Sequence, residues 1–480
     1  MATFYVTNFG CRATQADGAA IERQLRERGL ERAGGSAEAE LVVLNTCTVT
    51  AAADQDARAA IRRIHRQNPA TRIVVTGCYA QRAPEEIAAL PGVSQVIGNS
   101  HKHLLAQLAV GLQTSDLGPQ RAQFVPLTQL TSDARRPMSE VGRPIFVSDI
   151  FAHTELQAAP VFDAANERTR PNLKVQDGCD NRCSFCVIPS VRGQSRSLQL
   201  AEVIREVDAL VGAGYREVVI SGINLGRWGR DLDVSPQVSA PGKTGQTPAT
   251  NGQRPGFEDL VRTILSETAL QKLRISSVEP MDWSDELIHL MATSSRIAKH
   301  AHVPLQSGSD AVLRRMHRKY RPWHYREKIE KIRAAMPTAA IGADVMAGFP
   351  GESDAEFDET CRLVEDLPLT YLHVFTYSAR PGTPAAAMGK QVPVHTARER
   401  NRILRDLAAR KKLAFMNGFA GQLIDAITLN VSGKCPAGEY TEGLTDNYLP
   451  IRVPGRHAAN RWIQTRVERV SDGALLGIAG

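Results

Sequence analysis

The chain has 480 residues, of which 42% are apolar and 23% charged, as in an ordinary globular protein of about two to four domains. Its net charge of +7 permits an anionic partner without requiring one. No apolar run is long enough to cross a bilayer, and the start MATFYVTNFGCRATQ lacks the features of a secretory signal. We therefore expect a cytoplasmic protein with no membrane partner, whose eight cysteines are reduced thiols available as metal ligands rather than a disulfide framework.

Strand-like and helical segments alternate over residues 1–112 and predict an amino-terminal parallel α/β domain. The predicted strands, each followed closely by a cysteine, are Phe4–Asn8, Leu41–Asn45 and Ile73–Thr76. Since parallel strands end at one edge of a sheet, the cysteines that follow them, Cys11, Cys47 and Cys78, can converge on one auxiliary cluster. The alternative is that each is a small buried hydrophobic residue.

Residues 113–168 are weakly periodic and are interpreted as a connector. The alternation resumes over residues 169–412, where about six βα units predict an open or partial barrel. Its predicted strands are Leu173–Gln176, Glu217–Ser221, Leu273–Ser276, His300–Pro304, Gly342–Met346 and Tyr371–Thr376. Residues 231–255, rich in Pro, Gly, Ser and Thr, predict a flexible insertion.

The sharpest motif, C-x3-C-x2-C, follows the first predicted barrel strand and consists of Cys179, Cys183 and Cys186. Thiolates are the usual ligands of iron–sulfur clusters, and three of them leave one of four irons open for a reaction. A structural zinc site is an alternative, but it needs a fourth ligand that is not close in sequence. Three reduced core cysteines are a further, poorer alternative.

Two runs of basic residues indicate an anionic partner. Residues 311–333 carry a net charge of +7, with Tyr320 and Trp323 placed to stack on RNA bases, and residues 395–412 carry +5. A solvated charged face is the alternative for either run. Residues 413–480 carry no net charge, and their short alternating strands predict a small antiparallel β-barrel.

The C-x3-C-x2-C motif resembles that of the radical S-adenosylmethionine enzymes, which implies a partial (β/α)6 barrel. The whole chain resembles the methylthiotransferase family, through NTCTVT (45–50), VVTGCYAQ (74–81), VQDGCDNRCSFCVIPSVRG (175–193), SGINLGRWG (221–229), RISSVEP (274–280), HVPLQSGSD (302–310), MAGFPGES (346–353) and YSARPGTPAA (377–386). The fold class implied is α/β: an amino-terminal parallel domain, a central barrel and a carboxy-terminal barrel that resembles the RNA-binding TRAM domain.

The resemblance also implies cofactors and contacts. Two [4Fe-4S] clusters are expected, a catalytic one on Cys179, Cys183 and Cys186 and an auxiliary one on Cys11, Cys47 and Cys78. The residues expected around S-adenosylmethionine are Phe185, Gly222, Asn224, Ser277, Glu279, Gln306, Ser307 and Gly348. The residues expected at RNA are Arg314, Arg315, Arg318, Lys319, Arg410, Lys411 and Tyr448, with Asn447 beside the last.

Within the family, SGINLGRWG and YSARPGTPAA are most similar to the branch acting on N6-threonylcarbamoyladenosine at tRNA position 37. The alternatives are isopentenyladenosine 37, an aspartate of a ribosomal protein, or, from another class, an iron–sulfur RNA-binding sensor without catalysis. The partners expected are the tRNA anticodon stem-loop, S-adenosylmethionine and an electron donor such as a flavodoxin or ferredoxin, with the enzyme as a monomer.

The sequence departs from the family pattern beside the first cysteine. Family members commonly have Asn and Ser where this chain has Thr14 and Gly18. Cys11 itself is retained, so ligation by its sulfur is still expected. Cys361 and Cys435 lie outside both motifs and are expected to have structural roles.

Overall fold

The computed structural model describes residues 2–111, 143–153, 156, 170–232, 254–435 and 438–478. Most of the predicted connector 113–168 and of the predicted insertion 231–255 lies outside these residues. In the described ranges, no helix combines the length and apolar character that a membrane span requires. The chain forms two compact units: an amino-terminal unit of Met1–Val161, Asp177–Gln194 and Ser378–Ala386, and a carboxy-terminal unit of the remaining residues.

The amino-terminal unit contains a six-stranded parallel sheet. Its strands are β1 (Thr3–Asn8), β2 (Glu31–Arg32), β3 (Leu41–Thr46), β4 (Arg72–Gly77), β5 (Val93–Gly98) and β6 (Ile145–Phe146), in the order β2-β1-β3-β4-β5-β6. Its helices are α1 (Arg12–Glu27), α2 (Ala51–Gln67), α3 (Cys78–Arg82), α4 (Pro84–Ala88), α5 (Leu105–Gly111) and α6 (Ile188–Arg192), with short 3₁₀ turns at Asn99–Leu104 and Ile150–Ala152.

Both faces of this sheet are buried. Val42 and Leu44 of β3 pack in a cluster with Ile61 of α2, whereas Val43, the residue between them, packs on the opposite face with Ile21 of α1. Alternate residues of a strand point to opposite faces, so a strand that is apolar throughout needs helices on both sides. The predicted parallel α/β fold of this region is confirmed, and β5 is a strand that the sequence pattern did not reveal.

The carboxy-terminal unit begins with an open barrel of six parallel strands. The strands that follow the amino-terminal sheet along the chain are β7 (Asn172–Lys174), β8 (Gln176–Asp177), β9 (Arg196–Ser197), β10 (Glu217–Ser221), β11 (Lys272–Ile275), β12 (His300–His302), β13 (Ala340–Ala347) and β14 (Tyr371–Thr376). Strands β8 and β9 pair only with each other, and the other six belong to the barrel. Strands β7, β10 and β11 form one parallel sheet and β12, β13 and β14 another, and a parallel bridge between Ser277 and His302 relates the two. The six predicted βα units are confirmed.

Helices connect and follow these strands: α7 (Leu200–Gly212), α8 (Phe257–Glu267), α9 (Asp285–Thr293), α10 (Asp310–Arg315), α11 (Pro322–Ala335), α12 (Asp354–Asp366) and α13 (Val394–Asn417). Single 3₁₀ turns lie at Leu225–Arg227, Pro280–Asp282 and Pro384–Ala387. Helix α13 contains the whole basic segment 395–412, and Ala397, Leu404 and Leu407 form its buried side. This spacing of three to seven residues is the apolar stripe of an amphipathic helix.

The chain ends in a closed barrel of β15 (Leu423–Cys435), β16 (Gly438–Thr445), β17 (Pro450–Pro454), β18 (Trp462–Ser471) and β19 (Ala474–Ile478). Met416 and Phe419, at the end of α13, pack into its core against Ile451 and Val467. Asn447 Nδ2 donates a hydrogen bond of 2.9 Å to the carbonyl of Thr338 in the central barrel. The predicted barrel is present, with antiparallel pairing except between β17 and β19, which run parallel. It is joined to its neighbour by both apolar and polar contacts.

Candidate functional site

Three cysteines follow the carboxyl ends of three neighbouring strands in the amino-terminal unit. Asn8 of β1 pairs with Asn45 of β3, which in turn pairs with Thr76 of β4, so these residues mark one level of the sheet. Two or three residues later along each strand come the cysteines, Cys11, Cys47 and Cys78. The convergence expected from the sequence is therefore present, because the strands are parallel, adjacent and in register.

Two glycines allow the loops that carry these cysteines to approach closely. A β-carbon on Gly10 would lie 2.5 Å from Cβ and 2.8 Å from Sγ of Cys47, and one on Gly77 would lie 2.6 Å from the backbone nitrogen of Thr46. Both glycines also have positive φ, +106° and +99°, a region that side chains with a β-carbon rarely adopt. The thiol of Cys47 thus lies directly against the residue that precedes Cys11.

The three thiols influence one another electrostatically. Burial, and after it the charges of Cys78 and Cys11, raise the pKa of Cys47 to about 12. Thiolates placed this close together repel one another, and a bound cationic centre removes that repulsion. The donor set, three sulfurs with buried Cys47 and Cys78 and exposed Cys11, fits a metal cluster rather than three isolated core residues.

The second cysteine set lies on a loop of the same compact unit. The backbone nitrogen of Cys186 donates to the carbonyl of Cys183 at 3.1 Å, and that of Cys179 donates to the carbonyl of Gly193 at 3.1 Å. The loop is thereby closed at its base, and its three thiols are half-buried and not joined in disulfides. Cys78 packs against Val187 and Val191, so the first cysteine set contacts the segment that directly follows the loop of the second.

The spacing of the sulfurs argues against a single zinc ion. A zinc ion with Zn–S bonds of about 2.3 Å holds its thiolates roughly 3.8 Å apart. Among the residues that the structure describes, the one group of three ligand atoms within 4.8 Å of each other is a histidine–aspartate–histidine group elsewhere in the chain. Neither cysteine set meets this condition among the described residues, so the structure does not support a single zinc ion, and three thiolates per set fit a cluster of several irons.

A buried arginine lies near the first cysteine set and follows the second along the chain, and it was not singled out from the sequence. Arg192, only 2% exposed, donates to both carboxylate oxygens of Asp177 at 2.9 Å and to Asp17 at 3.0 Å. Lys102 Nζ lies 2.9 Å from the same Asp17 carboxylate. Burial alone would lower the pKa of Arg192, but Asp177 and then Cys78 raise it well above its usual value. The sequence signal that could have identified Arg192 is its place in the motif VQDGCDNRCSFCVIPSVRG (175–193).

A second network connects sequence motifs that are far apart. Asp54, in the helix after NTCTVT, accepts a hydrogen bond of 2.7 Å from Arg380 of YSARPGTPAA and one of 3.0 Å from Arg82. The carbonyl of Ser184, in the cysteine loop, accepts a hydrogen bond of 2.8 Å from the backbone nitrogen of Ala385. These contacts explain why residues 378–386 belong to the same compact unit as both cysteine sets.

The barrel residues expected around S-adenosylmethionine follow the ends of successive strands in the carboxy-terminal unit: Gly222, Asn224, Ser277, Glu279, Gln306, Ser307 and Gly348. Phe185 lies on the cysteine loop of the other unit. Among the described residues, the buried oxygens Ser221 Oγ, Gln306 Oε1 and Ser309 Oγ have no hydrogen-bond partner. Unpaired buried oxygens are costly, so their presence at these strand ends fits a polar ligand that donates hydrogen bonds.

Several of these residues have structural partners of their own. The backbone nitrogen of Asn224 donates to Gln176 Oε1 at 2.7 Å, and Ser307 Oγ lies 3.2 Å from Thr360 Oγ1. Gly348 was expected to give the adenosyl group room, yet a β-carbon there would lie 2.5 Å from the β-carbon of Ala397. The structure therefore explains this glycine by the packing of α13, and its φ of +76° adds a second reason.

The basic residues expected at RNA differ in their surroundings. Arg315 forms a two-bonded ion pair with Glu356 at 2.8 and 2.9 Å, and Arg318, 7% exposed, pairs with Glu279. Lys411 Nζ donates to the carbonyl of Glu365 at 2.8 Å. The remaining side chains of this set are exposed at the surface: Arg314, Lys319 and Arg410.

The aromatic residues of the first basic run differ as well. Tyr320 is 1% exposed and donates to the backbone carbonyls of Pro304 and Leu305, so the expectation that it stacks on RNA is wrong. The buried Tyr320 hydroxyl finds its acceptors in the segment before Gln306, and a run of basic residues in sequence gives no indication of such partners. Trp323 is 56% exposed.

Tyr448 lies where the carboxy-terminal barrel meets the central one. Its ring is 5.0 Å from the guanidinium of Arg274 and 4.8 Å from the ring of His300. Its backbone has a φ of +68°, which is uncommon for a residue with a β-carbon. These contacts place the Tyr448 ring inside the chain's own packing, and an RNA contact by Tyr448 remains a proposal.

Comparison with known proteins agrees with this arrangement. Residues 3–98 match the family described as Uncharacterized protein family UPF0004, and residues 173–364 match the Radical SAM superfamily. The chain is similar over 80% of its length to a radical S-adenosylmethionine methyltransferase, TsrM from Kitasatospora setae, with a TM-score of 0.54, 14% sequence identity and 77% of that chain covered. At this identity the likeness concerns the fold alone.

Relatives of known name align over nearly the whole chain. The chain is 34% identical to threonylcarbamoyladenosine tRNA methylthiotransferase MtaB of Bacillus subtilis, covering 95% of this chain and 91% of the relative. It is 30% identical to MtaB of Aquifex aeolicus, covering 95% and 98%. It is 32% identical to tRNA-2-methylthio-N(6)-dimethylallyladenosine synthase of Novosphingobium aromaticivorans, covering 88% and 86%.

The barrel and the C-x3-C-x2-C loop define an enzyme of the radical S-adenosylmethionine class, with a further cysteine set in its amino-terminal domain. The chain belongs to the methylthiotransferase family of that class. This membership confirms the predicted cofactors, S-adenosylmethionine and [4Fe-4S] clusters. It also confirms the predicted type of enzyme, a transferase.

Proposed function

We propose that the protein inserts a methylthio group at C2 of N6-threonylcarbamoyladenosine 37 in tRNA. The observation that carries the proposal is the presence of two sets of three thiols in one compact unit. Each set is one ligand short of the four that a [4Fe-4S] cluster takes, so each leaves an iron able to bind a small ligand. One such iron suits S-adenosylmethionine, and the other suits the sulfur to be inserted.

The reaction replaces an aromatic hydrogen, and side chains alone are poor catalysts for this. The C2–H bond of adenine offers no acidic proton for a general base, so a cofactor must supply the chemistry. When bound, the two clusters supply the electron that cleaves S-adenosylmethionine to a 5′-deoxyadenosyl radical and the sulfur that enters C2. The C2 hydrogen leaves in 5′-deoxyadenosine, and a second S-adenosylmethionine supplies the methyl group.

The residues of the chain hold and order these groups. Cys179, Cys183 and Cys186 would hold the catalytic cluster on a loop closed at its base by the hydrogen bond to Gly193. The unpartnered oxygens of Ser221, Gln306 and Ser309 are available to the amino and hydroxyl groups of S-adenosylmethionine. Arg192 supplies a permanent positive charge near Cys78, which offsets the negative charge of a thiolate-ligated cluster.

Relatives of known name support the choice of adenosine. The Bacillus subtilis relative, 34% identical over 95% of this chain, and four further relatives that are 30–31% identical are threonylcarbamoyladenosine enzymes. Dimethylallyladenosine synthases follow at 30–32% identity, so that substrate is the second candidate. Further parts of the proposal are the anticodon stem-loop as the RNA element bound, a flavodoxin or ferredoxin as electron donor, a monomeric enzyme and a cytoplasmic location.

Residues 413–480 are proposed to act as a TRAM-like RNA-binding barrel. Support comes from the closed five-stranded barrel itself, a form that many small RNA-binding domains share. The exposed Arg314, Lys319 and Arg410 are proposed as phosphate contacts, since they lie on the surface of the same unit.

Mass analysis of tRNA nucleosides tests the proposal. In a strain that lacks the gene, the methylthio form of threonylcarbamoyladenosine should disappear, and the wild-type gene should restore it. Loss of the methylthio form of dimethylallyladenosine instead would transfer the assignment to the second candidate. Retention of both forms would reject a role in tRNA methylthiolation.

The two cysteine sets can then be separated in the same strain. A triple Cys→Ala change of Cys11, Cys47 and Cys78 should abolish the methylthio product, while the purified protein still forms 5′-deoxyadenosine. A triple change of Cys179, Cys183 and Cys186 should abolish both. Anaerobically reconstituted protein should lose about four of about eight irons in either variant, and Cys361→Ala is the matched control that keeps all of them.

A further inference from the structure

Three potential metal ligands lie on one face of the last three strands of the central barrel. His302 of β12 pairs with Gly342 of β13, and Asp344, two residues further along β13, pairs with His373 of β14. Residues two apart on a strand point to the same face, so the three side chains are directed to one side of this sheet. The group was not singled out from the sequence, since its members are 29 to 71 positions apart.

The ligand atoms of this group are close together. Nε2 of His302 lies 3.4 Å from Oδ1 of Asp344, and Nδ1 of His373 lies 3.3 Å from the same oxygen. All three atoms lie within 4.8 Å of one another.

These distances are long for hydrogen bonds. An N–H donor and a carboxylate oxygen normally approach to about 2.7–3.0 Å, and a charged pair lies at the short end of this range. Nε2 of His302 is buried and has no hydrogen-bond partner among the described residues. The group is therefore too open for a pair of ordinary imidazole–carboxylate hydrogen bonds, although its atoms point toward one another.

The same distances suit a tetrahedral metal ion. Ligands about 2.0–2.1 Å from zinc are separated by edges of roughly 3.3 Å, whereas an octahedral ion with similar bonds has edges of about 3.0 Å. Two imidazoles and one carboxylate also form a known type of zinc ligand set, with the fourth position left for an exogenous oxygen ligand. We propose that His302, Asp344 and His373 bind a divalent cation, with zinc preferred, at a site distinct from both cysteine sets.

The surroundings hold His302 in place and leave His373 free to adjust. His302 is buried, and its ring lies 6.1 Å from that of Tyr371, whose hydroxyl is 2.7 Å from Nε2 of His300. The side chain of His373 is 64% exposed, so its ring can rotate to complete the shell, and a cation can enter from that side.

The chemistry of the three side chains also suits a cation. A carboxylate oxygen and two imidazole nitrogens are ligand atoms that zinc accepts, and the carboxylate adds a formal negative charge to the site.

The experiment uses the holoprotein with its iron–sulfur clusters reconstituted anaerobically, so that both cysteine sets are occupied. Zinc is removed by brief chelation, and zinc or cobalt(II) is then titrated into the wild type and into variants. His373→Gln is the first variant, because the exposed side chain can change without disturbing the fold. Asp344→Asn is the second, and His289→Gln, an exposed histidine on α9, is the matched control.

Wild type and His289→Gln should bind about one zinc per chain beyond their iron, and cobalt(II) should give the visible absorption of a tetrahedral nitrogen–oxygen site. His373→Gln and Asp344→Asn should bind at least about tenfold more weakly and lose that absorption, with iron content and thermal unfolding of His373→Gln unchanged. Absence of an additional zinc in the wild type, or equal zinc affinity in wild type and both variants, would overturn the proposal. The test does not depend on the substrate of the enzyme.

Discussion

Arg192 and Asp17 are 175 positions apart in sequence, yet Nη2 of Arg192 lies 3.0 Å from Oδ2 of Asp17 in the interior of the amino-terminal unit. Asp17 belongs to the helix that follows Cys11, and Arg192 follows the loop of Cys179, Cys183 and Cys186. This ion pair therefore connects the segments that carry the two cysteine sets. Its burial makes it sensitive to any change of one partner.

Replacement of Arg192 should destabilise the amino-terminal unit. Arg192→Ala leaves Asp17 and Asp177 buried with less compensation, and removal of one member of a buried ion pair costs about 3–5 kcal/mol. Arg192→Lys should recover only part of this, because one ammonium nitrogen replaces the two guanidinium nitrogens that reach Asp177 and Asp17. Urea unfolding of the reconstituted protein measures the effect.

Arg314→Ala is the control for this series, since Arg314 forms an exposed ion pair with Asp310 that contributes at most about 1 kcal/mol. An Arg192→Ala variant that unfolds at the same urea concentration as wild type would show that the ion pair does not hold the two segments together.

Gly18 should not tolerate the serine that the family pattern has at this position. A β-carbon on Gly18 would overlap the side-chain amide of Asn8, which is itself bonded to Asn45 at 3.0 Å. Overpacking of this kind costs about 1–3 kcal/mol, so Gly18→Ser should lower the free energy of unfolding by that amount. The departure from the family pattern is thus explained by Asn8, which fills the space that a serine would need.

A double variant tests this explanation of Gly18. Adding Asn8→Ala to Gly18→Ser should be less harmful than the sum of the two single changes, because the overlap is gone. Gly212→Ser, in a helix where a β-carbon would meet nothing within 4 Å, is the control. Strictly additive effects of Asn8→Ala and Gly18→Ser would contradict the proposed overlap.

Glu356 should contribute a pH-dependent part of the stability. Hydrogen bonds from Arg315 lower the pKa of Glu356, against a smaller opposing effect of burial. A carboxyl group whose pKa is lowered by folding stabilises the protein above its unfolded pKa of about 4.3 and loses that contribution as the pH falls. Glu356→Gln should thus lower the free energy of unfolding by up to about 1 kcal/mol at neutral pH, and the difference between variant and wild type should be smaller near pH 3.

Urea unfolding at several pH values measures the contribution of Glu356. Glutamine keeps the capping interaction with the backbone of Ser353, so the variant isolates the charge. Glu399→Gln, which removes an exposed ion pair with Arg402, should stay close to wild type at every pH. A cost of Glu356→Gln that is constant from pH 7 to pH 3 would rule out an electrostatic origin.

Tyr448 should hold the carboxy-terminal barrel against the central barrel. Tyr448→Ala removes the ring that covers Arg274 and His300, and hydrogen exchange in β16 and β17 should become faster, with a cost of about 1–2 kcal/mol. Tyr448→Phe keeps the ring and should behave as wild type. Trp323→Ala, which removes an exposed aromatic side chain, is the control.

The same Tyr448 variants distinguish packing from RNA binding. If the ring contacts RNA instead, Tyr448→Ala should weaken tRNA binding while hydrogen exchange in the free protein stays at the wild-type rate. That result would restore Tyr448 to the proposed RNA surface.

Local sequence determined the elements and the two cysteine motifs. Strand and helix periodicity is a property of neighbouring residues, so β1, β3, β4 and the six barrel strands could be predicted within one or two residues of their observed ends. The short loop from Cys179 to Cys186 could be recognised because its ligands are adjacent in sequence. The convergence of Cys11, Cys47 and Cys78 could be predicted as well, since parallel strands end at one edge of a sheet.

Tertiary structure alone decided which polar side chains are paired and which are available. From the sequence, Tyr320, Arg315 and Arg318 could not be distinguished from exposed aromatic and basic residues. In the structure Tyr320 is buried against backbone carbonyls, and the two arginines form ion pairs with carboxylates that are distant in sequence. The Arg192 network and the His302–Asp344–His373 group likewise join residues that are far apart along the chain. The physical reason is that a pattern of hydrophobicity specifies which face of an element is buried, whereas the partner of a polar group depends on the register and packing of other elements.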